Sequence, residues 1–500
     1  MRKLICALLI SLLTSQSAFA SFPIGEVKPM LTIFDVPGDF NLSFGEYRSG
    51  GSYKPFISGI LDFGSQESAY TSVLPNCFED IESPCLKTFE VSEDDGKTWN
   101  KYKKSTSYES KVFDNNQNLP KGSYSQISKN WPANSLERLP SGANTSVFEF
   151  ENAYHAGGNQ YMVQAVVEGV SSKDTLKSKS EKLSLIILPI SVYSAPAPNT
   201  CSIWKDFCFK VFNFPENTKF RISLDLKYLS SDFSGWFQSR IKEGVITQSN
   251  LSEISFEGYP VKVSHALASF YKPFPESLTV DYPEIKTGLF NGQKLTLSLI
   301  DSSINSNGID IWQKYGNFVN KNASDDSTLW QATSYSTTKD ATVYKQMNGC
   351  LNKKNGLLGL VSTNATIYEV GAPEWDSSSG SLSFKVASPT NDSTGSKNSG
   401  NYELVMREDI AKCLWGSSIT SAKALIQIID ESGNSQVSTT TFLTQKGYLY
   451  FKASGFHYSS PKITVSFAKS SILTISCKKG KTTKKISSTK PKCPTGYTKI

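Results

Sequence analysis

The amino-acid sequence predicts a mostly β protein, built from several antiparallel β-sandwich-like domains in tandem and containing few helices. Apolar residues occupy every second position in stretches such as RISLDLKYL (221–229) and SLSFKVAS (381–388), which places them on one face of a strand. Denser apolar runs at 161–170 and 182–193 predict central strands that are buried on both faces. Charged residues make up only 19% of the chain, which is low for a helical protein.

The same alternation continues along the chain and identifies further strands. It recurs at 294–301, 424–430 and 462–468, and each of these stretches is bounded by polar or turn-forming residues. A helical pattern is weaker and appears in only two places, 232–243 and 408–414. We therefore expect strands nearly everywhere and at most two short helices.

The N-terminus has the pattern of a secretory signal peptide over residues 1–20. Two basic residues, Arg2 and Lys3, precede a ten-residue apolar run that is followed by Ala18-Phe19-Ala20. A transmembrane helix needs about 20 apolar residues, so this run is too short to span a bilayer. We expect a mature chain that begins at Ser21, a secreted or cell-surface location, and no transmembrane segment after signal removal.

Two breaks divide the remaining chain, which is longer than one ordinary domain. The proline-rich segment 194–200 has the composition of an extended linker, and a softer polar break lies at 336–348. The polar stretch 389–400 is interpreted as a loop within a domain, because strands flank it closely. These features predict an N-terminal β-domain, a middle β-rich region, a C-terminal β-domain and a basic tail, at 21–195, 200–345, 346–470 and 471–500.

The cysteines indicate a disulfide framework. Nine are present, and Cys6 leaves with the signal peptide, so eight remain in an oxidising compartment. Eight cysteines allow 105 pairings, and sequence spacing favours one of them. The absence of C-x-x-C and the scatter of the three histidines argue against zinc, so no metal or cofactor is expected. The predicted pairs are Cys77–Cys85, Cys201–Cys208, Cys350–Cys413 and Cys477–Cys493.

One short segment resembles a named motif. Residues 92–99, SEDDGKTW, match S-x-D-x-G-x-T-W and resemble the Asp box, a hairpin motif repeated in sialidases and other propeller proteins and found singly in unrelated secreted proteins. Asp95-Gly96 suits a tight turn with positive φ, Asp94 can accept backbone N–H bonds, and Trp99 can cap the hairpin. A propeller would show several copies. We therefore interpret the motif as structural.

The sequence indicates no specific reaction. It contains no G-x-S-x-G elbow, no H-E-x-x-H and no phosphate-binding glycine loop. Neighbouring acids occur at 79–80, 93–95 and 325–326, and glycoside hydrolysis needs only two carboxylates. The catalytic residues are thus unknown. We expect a non-enzymatic β-protein with a structural or adhesion-like binding role, and the alternative is a secreted carbohydrate-active hydrolase with a hidden carboxylate pair.

The C-terminal tail concentrates the positive charge. The whole chain has a net charge of +7; removing Arg2 and Lys3 leaves +5, and removing the eight lysines of the tail leaves −3 for the rest. Two strand-like stretches, ILTISC and TTKKISS, flank a Lys-Gly-Lys turn, which predicts a hairpin stapled by Cys477–Cys493. The candidate envelope-contact residues are Lys478, Lys479, Lys481, Lys484, Lys485, Lys490, Lys492 and Lys499.

The last 150 residues carry a second resemblance. YELVMR (402–407), KCL (412–414), GYLY (447–450), ASGF (453–456) and the tail element C-x-x-G-K…K-x-K-C-P-x-G-Y resemble a C-terminal module of secreted or cell-surface β-rich proteins of actinobacteria. The resemblance implies a surface or secreted setting and transfers no catalytic residue.

Two interpretations of the tail remain open at this point. In the first, it contacts anionic cell-envelope polymers or a surface sorting system. In the second, its lysines only keep an exposed hairpin solvated and discourage edge pairing. No nucleic-acid partner is expected, because the tail lacks arginine and interleaved aromatic residues.

Overall fold

The computed structural model is mostly β and contains several antiparallel sheets. The predicted signal peptide and Cys201 lie outside the described residues. The structure describes residues 30–33, 59–62, 67–77, 82–108, 127–128, 132–172, 177–193, 202–203, 208–231, 234–249, 252–271, 273–276, 294–299, 308–336, 347, 349–351, 354, 356–369, 371–416, 419, 424–429, 434–436, 438–458, 462–467, 473–480, 482–488 and 492–500.

Ten described strands precede residue 195, and the two longest correspond to the densest apolar runs of the sequence. They are β1 (Met30–Ile33), β2 (Gly59–Asp62), β3 (Glu67–Val73), β4 (Cys85–Ser92), β5 (Asn100–Lys101), β6 (Lys104–Tyr108), β7 (Ile127–Ser128), β8 (Thr145–Glu149), β9 (Gln160–Ser172) and β10 (Lys177–Tyr193).

Eight described strands and one short helix lie between residues 200 and 345. They are β11 (Ser202–Ile203), β12 (Cys208–Val211), β13 (Lys219–Asp225), β14 (Ser234–Ser239), β15 (Ile241–Ser249), β16 (Glu253–Tyr271), β17 (Lys294–Leu299), α1 (Gly308–Tyr315) and β18 (Asp325–Ser336). Two single 3-10 turns follow β13 and α1, at Lys227–Ser231 and Gly316–Phe318.

The remaining strands and a second helix complete the described fold. They are β19 (Gly356–Thr363), β20 (Ile367–Tyr368), β21 (Glu374–Asp376), β22 (Ser381–Ala387), β23 (Ser399–Arg407), α2 (Glu408–Trp415), β24 (Ala424–Ile429), β25 (Thr439–Gln445), β26 (Tyr448–His457), β27 (Lys462–Phe467), β28 (Leu473–Lys479), β29 (Thr482–Ser488) and β30 (Thr498–Lys499). Each of the seven stretches in which the sequence predicts a strand contains one, although the strand in 221–229 ends at Asp225 and is followed by the 3-10 turn Lys227–Ser231.

One long path of hydrogen-bonded strands, here called the central sheet, runs through the protein. Its order is β7-β2-β3-β9-β10-β18-β14-β19-β23-β26-β25, and every pair in it is antiparallel except β14–β19. A shorter outer sheet has the order β5-β4-β13-β16-β15. A third, C-terminal sheet contains β20, β21, β22, β27 and β24.

The outer sheet packs on one face of the central sheet and encloses the first core. Residues such as Phe89, Ile222 and Phe256 from the outer sheet meet Leu185, Trp330 and Leu360 from the central sheet in this cluster. Aromatic rings join the two sheets, as in the contact of Phe237 with Phe256 at a centroid distance of 4.9 Å. This layering is that of a β-sandwich.

The opposite face of the central sheet carries a second core, which lies where the C-terminal strands of this sheet are. There Leu358 and Leu404 pack with Phe384 and Val465 of the C-terminal sheet and with Ile410 of α2. All eight residues of β19 are buried, because this strand contributes to both cores. Two sandwiches therefore share one sheet.

This shared sheet bears on the predicted domain organisation. The tandem arrangement of separate sandwiches is not confirmed, because strand pairing crosses both predicted boundaries: β4 pairs with β13, β10 with β18, and β14 with β19. The composition of a linker at 194–200 reports local stiffness and carries no information about which strands later pair across it.

Of the two helices predicted from the sequence, one is confirmed and the other is wrong. Segment 408–414 is helical, as expected, with Glu408 and Asp409 in its first turn. Segment 232–243 is not a helix: its described part forms β14 and the start of β15. Its i, i+3, i+4 spacing of apolar residues resembles a helical stripe, but Trp236 and Phe237 point to opposite faces of β14 and enter the second and the first core. The described helix α1 was missed.

Three disulfides are formed in the described structure, and they match pairs favoured by the sequence spacing. They join Cys77 to Cys85, Cys350 to Cys413, and Cys477 to Cys493. The fourth predicted pair, Cys201–Cys208, stays a prediction, because Cys201 lies outside the described residues.

The basic C-terminal sheet as the candidate functional site

The C-terminal tail forms a small antiparallel sheet of its own, here called the tail sheet. Strands β28 and β29 pair from Leu473↔Ser488 to Lys479↔Thr482, and Gly480 adopts a φ of +56° at the turn. The strand-turn-strand pattern is thus confirmed. A third strand, β30, pairs with β28 and was not predicted, because two residues are too few to show a periodicity.

The disulfide holds the end of the chain against this sheet. Cys477 on the central strand β28 is fully buried and bonds to Cys493, although the tail is too small to form an apolar core. The chain then turns at Gly496, where φ is +84°, and the Ile500 N–H donates to the Ser476 carbonyl at 2.9 Å. The bridge therefore positions both the turn and strand β30.

The strand register distributes the lysines over two faces. Residues directly opposite in an antiparallel pair share a face, so Lys484 and Lys499, which both pair with Cys477, lie on the Cys477 face. Lys479 joins them because it is two residues beyond Cys477 on the same strand. By the same alternation, Lys478 and Lys485 lie on the opposite face. All five lysines are exposed.

A tyrosine lies at the centre of the Cys477 face. The Nζ atom of Lys484 is 5.3 Å from the centroid of the Tyr497 ring, and that of Lys479 is 6.0 Å from it. An aromatic ring attracts ammonium groups through its quadrupole. The Tyr497 ring therefore holds the like charges of Lys479 and Lys484 close together. We call Lys479, Lys484, Lys499 and Tyr497 the tyrosine face, and Lys478 with Lys485 the opposite face.

The tail has no acidic side chain to neutralise its charge. Residues 432–500 contain twelve lysines, no arginine and neither aspartate nor glutamate. Among the ion pairs of the described residues, none involves a lysine of the tail sheet. Lys492 is also exposed, in the segment leading to the disulfide. Lys481 and Lys490 lie outside the described residues. The tail sheet thus carries a high density of positive charge.

The tail sheet is separate from the cores of the body. Its three strands pair only with one another among the described strands. No residue from 471 onward belongs to any of the four apolar clusters found in the described part of the chain. Among the described residues, the tail therefore contributes nothing to these four apolar clusters.

The Asp-box-like segment forms the expected hairpin. Asp95 and Gly96 both have positive φ, at +64° and +83°, and the Asp94 carboxylate accepts the Thr98 N–H at 2.8 Å. That backbone hydrogen bond, with others from the Thr98 and Ser92 side chains, lowers the pKa of Asp94 to about 2. The Ser92 hydroxyl in turn donates to Asp94 at 2.8 Å. These contacts are internal to the turn, as a structural motif requires.

Next to this hairpin, two carboxylates flank an arginine on the outer sheet. Arg221 contacts Glu90 at 2.7 Å and Glu257 at 3.9 Å, and its guanidinium lies 4.1 Å from the centroid of the half-buried Trp99 ring. A glycosidase pair needs the space between its carboxyl groups for a sugar or a water. Here the guanidinium occupies that space. This carboxylate pair therefore does not support the hydrolase alternative.

A buried contact between a histidine and a serine has no signal in the sequence. His265 on β16 is buried, and its Nε2 lies 2.8 Å from the Ser327 hydroxyl of β18. Burial lowers the pKa of His265 to about 4, so the ring is neutral at neutral pH. The two residues are far apart in sequence, and no local pattern could have paired them. The contact joins two paired strands at a buried position.

The described residues contain no second arrangement with a clear ligand chemistry, and the chain has no recognisable relative. No family model, no curated protein and no solved structure matches this chain. Within the described residues, no group of three or more histidine, cysteine, aspartate or glutamate side chains could hold a metal ion. No helix among those residues is both long and apolar enough to cross a membrane. The tail sheet remains the arrangement with the clearest chemical character.

Proposed function

We propose that this protein is a secreted or cell-envelope-associated β-protein with a structural or adhesion-like binding role and no enzymatic activity. Its tail sheet holds it on an anionic polymer of the cell envelope. The observation that supports this proposal is the separate, disulfide-stapled sheet whose lysines have no acidic counterpart in residues 432–500.

The energetics of such an attachment depend on presenting several lysines together. One lysine near an anionic surface contributes about 1 kcal/mol, which is too little for stable retention. The tail carries eight lysines, and five of them project from a sheet whose geometry is fixed by a bridge. The rest of the mature chain is slightly acidic, so the tail would dominate any attraction to an anionic polymer.

Fractionation of the producing cells tests the proposal. Three proteins are compared: the full chain, a deletion of residues 471–500, and a variant with all eight tail lysines replaced by glutamine. We expect the full chain in the envelope fraction and both variants in the medium, and we expect salt to elute the full chain. Screening limits the reach of surface charge to about 8 Å at physiological ionic strength.

The same experiment distinguishes a sorting signal from direct electrostatic binding. A receptor that reads the tail would respond to Cys493 and the residues after it, and salt would not elute the protein. Identical partition of all three proteins would contradict the proposal and leave the tail as a solvated chain end.

A further inference from the structure

We infer that the tyrosine face is the binding surface of the tail, and that it takes the phosphate groups of a linear phosphodiester polymer. This inference rests on the proposed function, because it assumes that the tail binds an anionic polymer. It goes further by assigning the contact to one face and one anion class.

The two faces differ in how their charge is held. On the tyrosine face, Lys479 and Lys484 lie within 6.0 Å of one ring centroid, and Lys499 lies on the same side of β28 as Lys484. On the opposite face, Lys478 and Lys485 are accompanied by short hydroxyl side chains, including Ser476 and Thr498. The tyrosine face therefore brings more positive charge close to one point, the Tyr497 ring.

The strand spacing sets the distance between cationic positions. Lys484 and Lys499 flank Cys477 on its two sides, so their strands are separated by two strand spacings, roughly 10 Å. Lys479 lies along β28, nearer the turn at Gly480. Three ammonium groups arranged across and along a small sheet suit a polymer with repeated charges better than a single small anion.

The cations of the tail suit phosphate groups that are bound as point charges. Arginine, whose planar fork matches carboxylate and phosphate alike in a bidentate geometry, is absent from residues 432–500. Lysine binds phosphate as a compact point charge. The half-buried Tyr497 adds a ring edge and a hydroxyl beside these ammonium groups. A phosphodiester polymer suits the spaced ammonium groups, the point-charge character of lysine and the nearby tyrosine hydroxyl, because each of its repeats carries one negative charge.

A pair of charge-matched double variants of the full mature chain tests the face assignment. The first is Lys479→Gln with Lys484→Gln on the tyrosine face, and the second is Lys478→Gln with Lys485→Gln on the opposite face. Both remove two positive charges from the same two strands. Binding to immobilised poly(glycerol phosphate) is measured at low ionic strength, with the Cys477–Cys493 bond verified by mass spectrometry of the unreduced protein.

The expected result is a loss of affinity of about thirtyfold for the tyrosine-face pair and less than threefold for the opposite pair. The larger figure assumes about 1 kcal/mol for each lysine in contact and 1.4 kcal/mol for each factor of ten. Equal losses for the two pairs would overturn the face assignment while leaving the proposed function intact. Absence of wild-type binding to poly(glycerol phosphate) would overturn the assignment to phosphodiester polymers. Unchanged binding after deletion of 471–500 would contradict the proposed function itself.

The anion class is tested with the wild-type chain on polymers of matched length and charge. Poly(glycerol phosphate) is compared with polygalacturonate, a carboxylate polymer, and with single-stranded DNA and anionic lipid vesicles. Tightest binding to poly(glycerol phosphate) supports the inference. Equal or tighter binding to any of the other three would overturn the assignment to a phosphodiester polymer of the envelope.

Discussion

The shared central sheet makes a specific prediction about folding, which can be tested at two leucines of β19. Leu358 is fully buried in the second core, and Leu360 is 1% exposed in the first. The strand register shifts between Gly235 and Trp236 of the neighbouring strand, which allows these two residues to face opposite sides. Leu358→Ala and Leu360→Ala therefore remove the same atoms from two different cores.

The expected destabilisation follows from burial. Truncating a fully buried leucine costs about 2–5 kcal/mol through lost transfer energy and the residual cavity. A typical protein is stable by only about 5–15 kcal/mol, so each change is a large fraction of the total. Because β19 is hydrogen-bonded into one sheet that serves both cores, each substitution should lower the stability of both sandwiches together.

Urea unfolding measures this, with far-UV circular dichroism and tryptophan fluorescence as independent probes. Trp236 lies in the second core and Trp330 in the first, so the fluorescence reports on both. We expect coincident transitions for the wild type, and a shift of the whole transition in each variant. Two separated transitions, with Leu358→Ala moving only one of them, would refute the reasoning and restore the tandem arrangement.

Three further predictions concern the Asp-box-like hairpin, the disulfides and a buried carboxylate. Trp99→Ala should cost about 2 kcal/mol in unfolding free energy, below the 3–5 kcal/mol of a fully buried ring, because Trp99 is half-buried and stacks on Arg221; a stable variant that lost an enzymatic turnover would contradict its structural role. Peptide mapping without reduction should recover all four predicted disulfides, and a bridge between cysteines of different predicted pairs would show the pairing to be wrong. Burial raises the pKa of Glu403, against the opposing charge of Lys452 and two backbone N–H donors. The raised pKa of Glu403 contributes to the free energy of unfolding, and this contribution is complete below pH 4.5, the ordinary pKa of glutamate. It is lost as the pH rises through the raised pKa of the folded state. The unfolding free energy of the wild type minus that of Glu403→Gln should therefore fall as the pH rises above 4.5, and a rising difference would show that the pKa is not raised.

The sequence predicted strands well because the alternation of apolar and polar residues is a local signal. It predicted β22 and β27 almost to the residue, since one face of each packs on a core. It could not predict that one sheet serves two cores, because this depends on pairing between strands far apart, such as β4 with β13. The error at 232–243 has the same origin: adjacent bulky residues enter different cores, and their spacing imitates a helix.

The candidate site shows a similar division. The charge of the tail and its hairpin follow from residues that are neighbours in sequence, so they could be predicted. The separation of the lysines into two faces depends on the register at Cys477, and the position of Tyr497 depends on a turn held by Cys493. Neither can be derived from composition. The eight lysines therefore formed one group in the sequence, whereas the five that are described on the tail sheet divide between two faces.

The most direct test of the central claim is the salt dependence of binding by the purified mature chain, with and without residues 471–500, to an anionic envelope preparation. Our account predicts that the full chain binds at low ionic strength, that its affinity falls steadily as salt is added, and that the truncated chain does not bind although its unfolding transition is unchanged. Equal binding by the two chains, or binding that salt does not weaken, would contradict the proposal that the basic tail sheet attaches this protein to its surface.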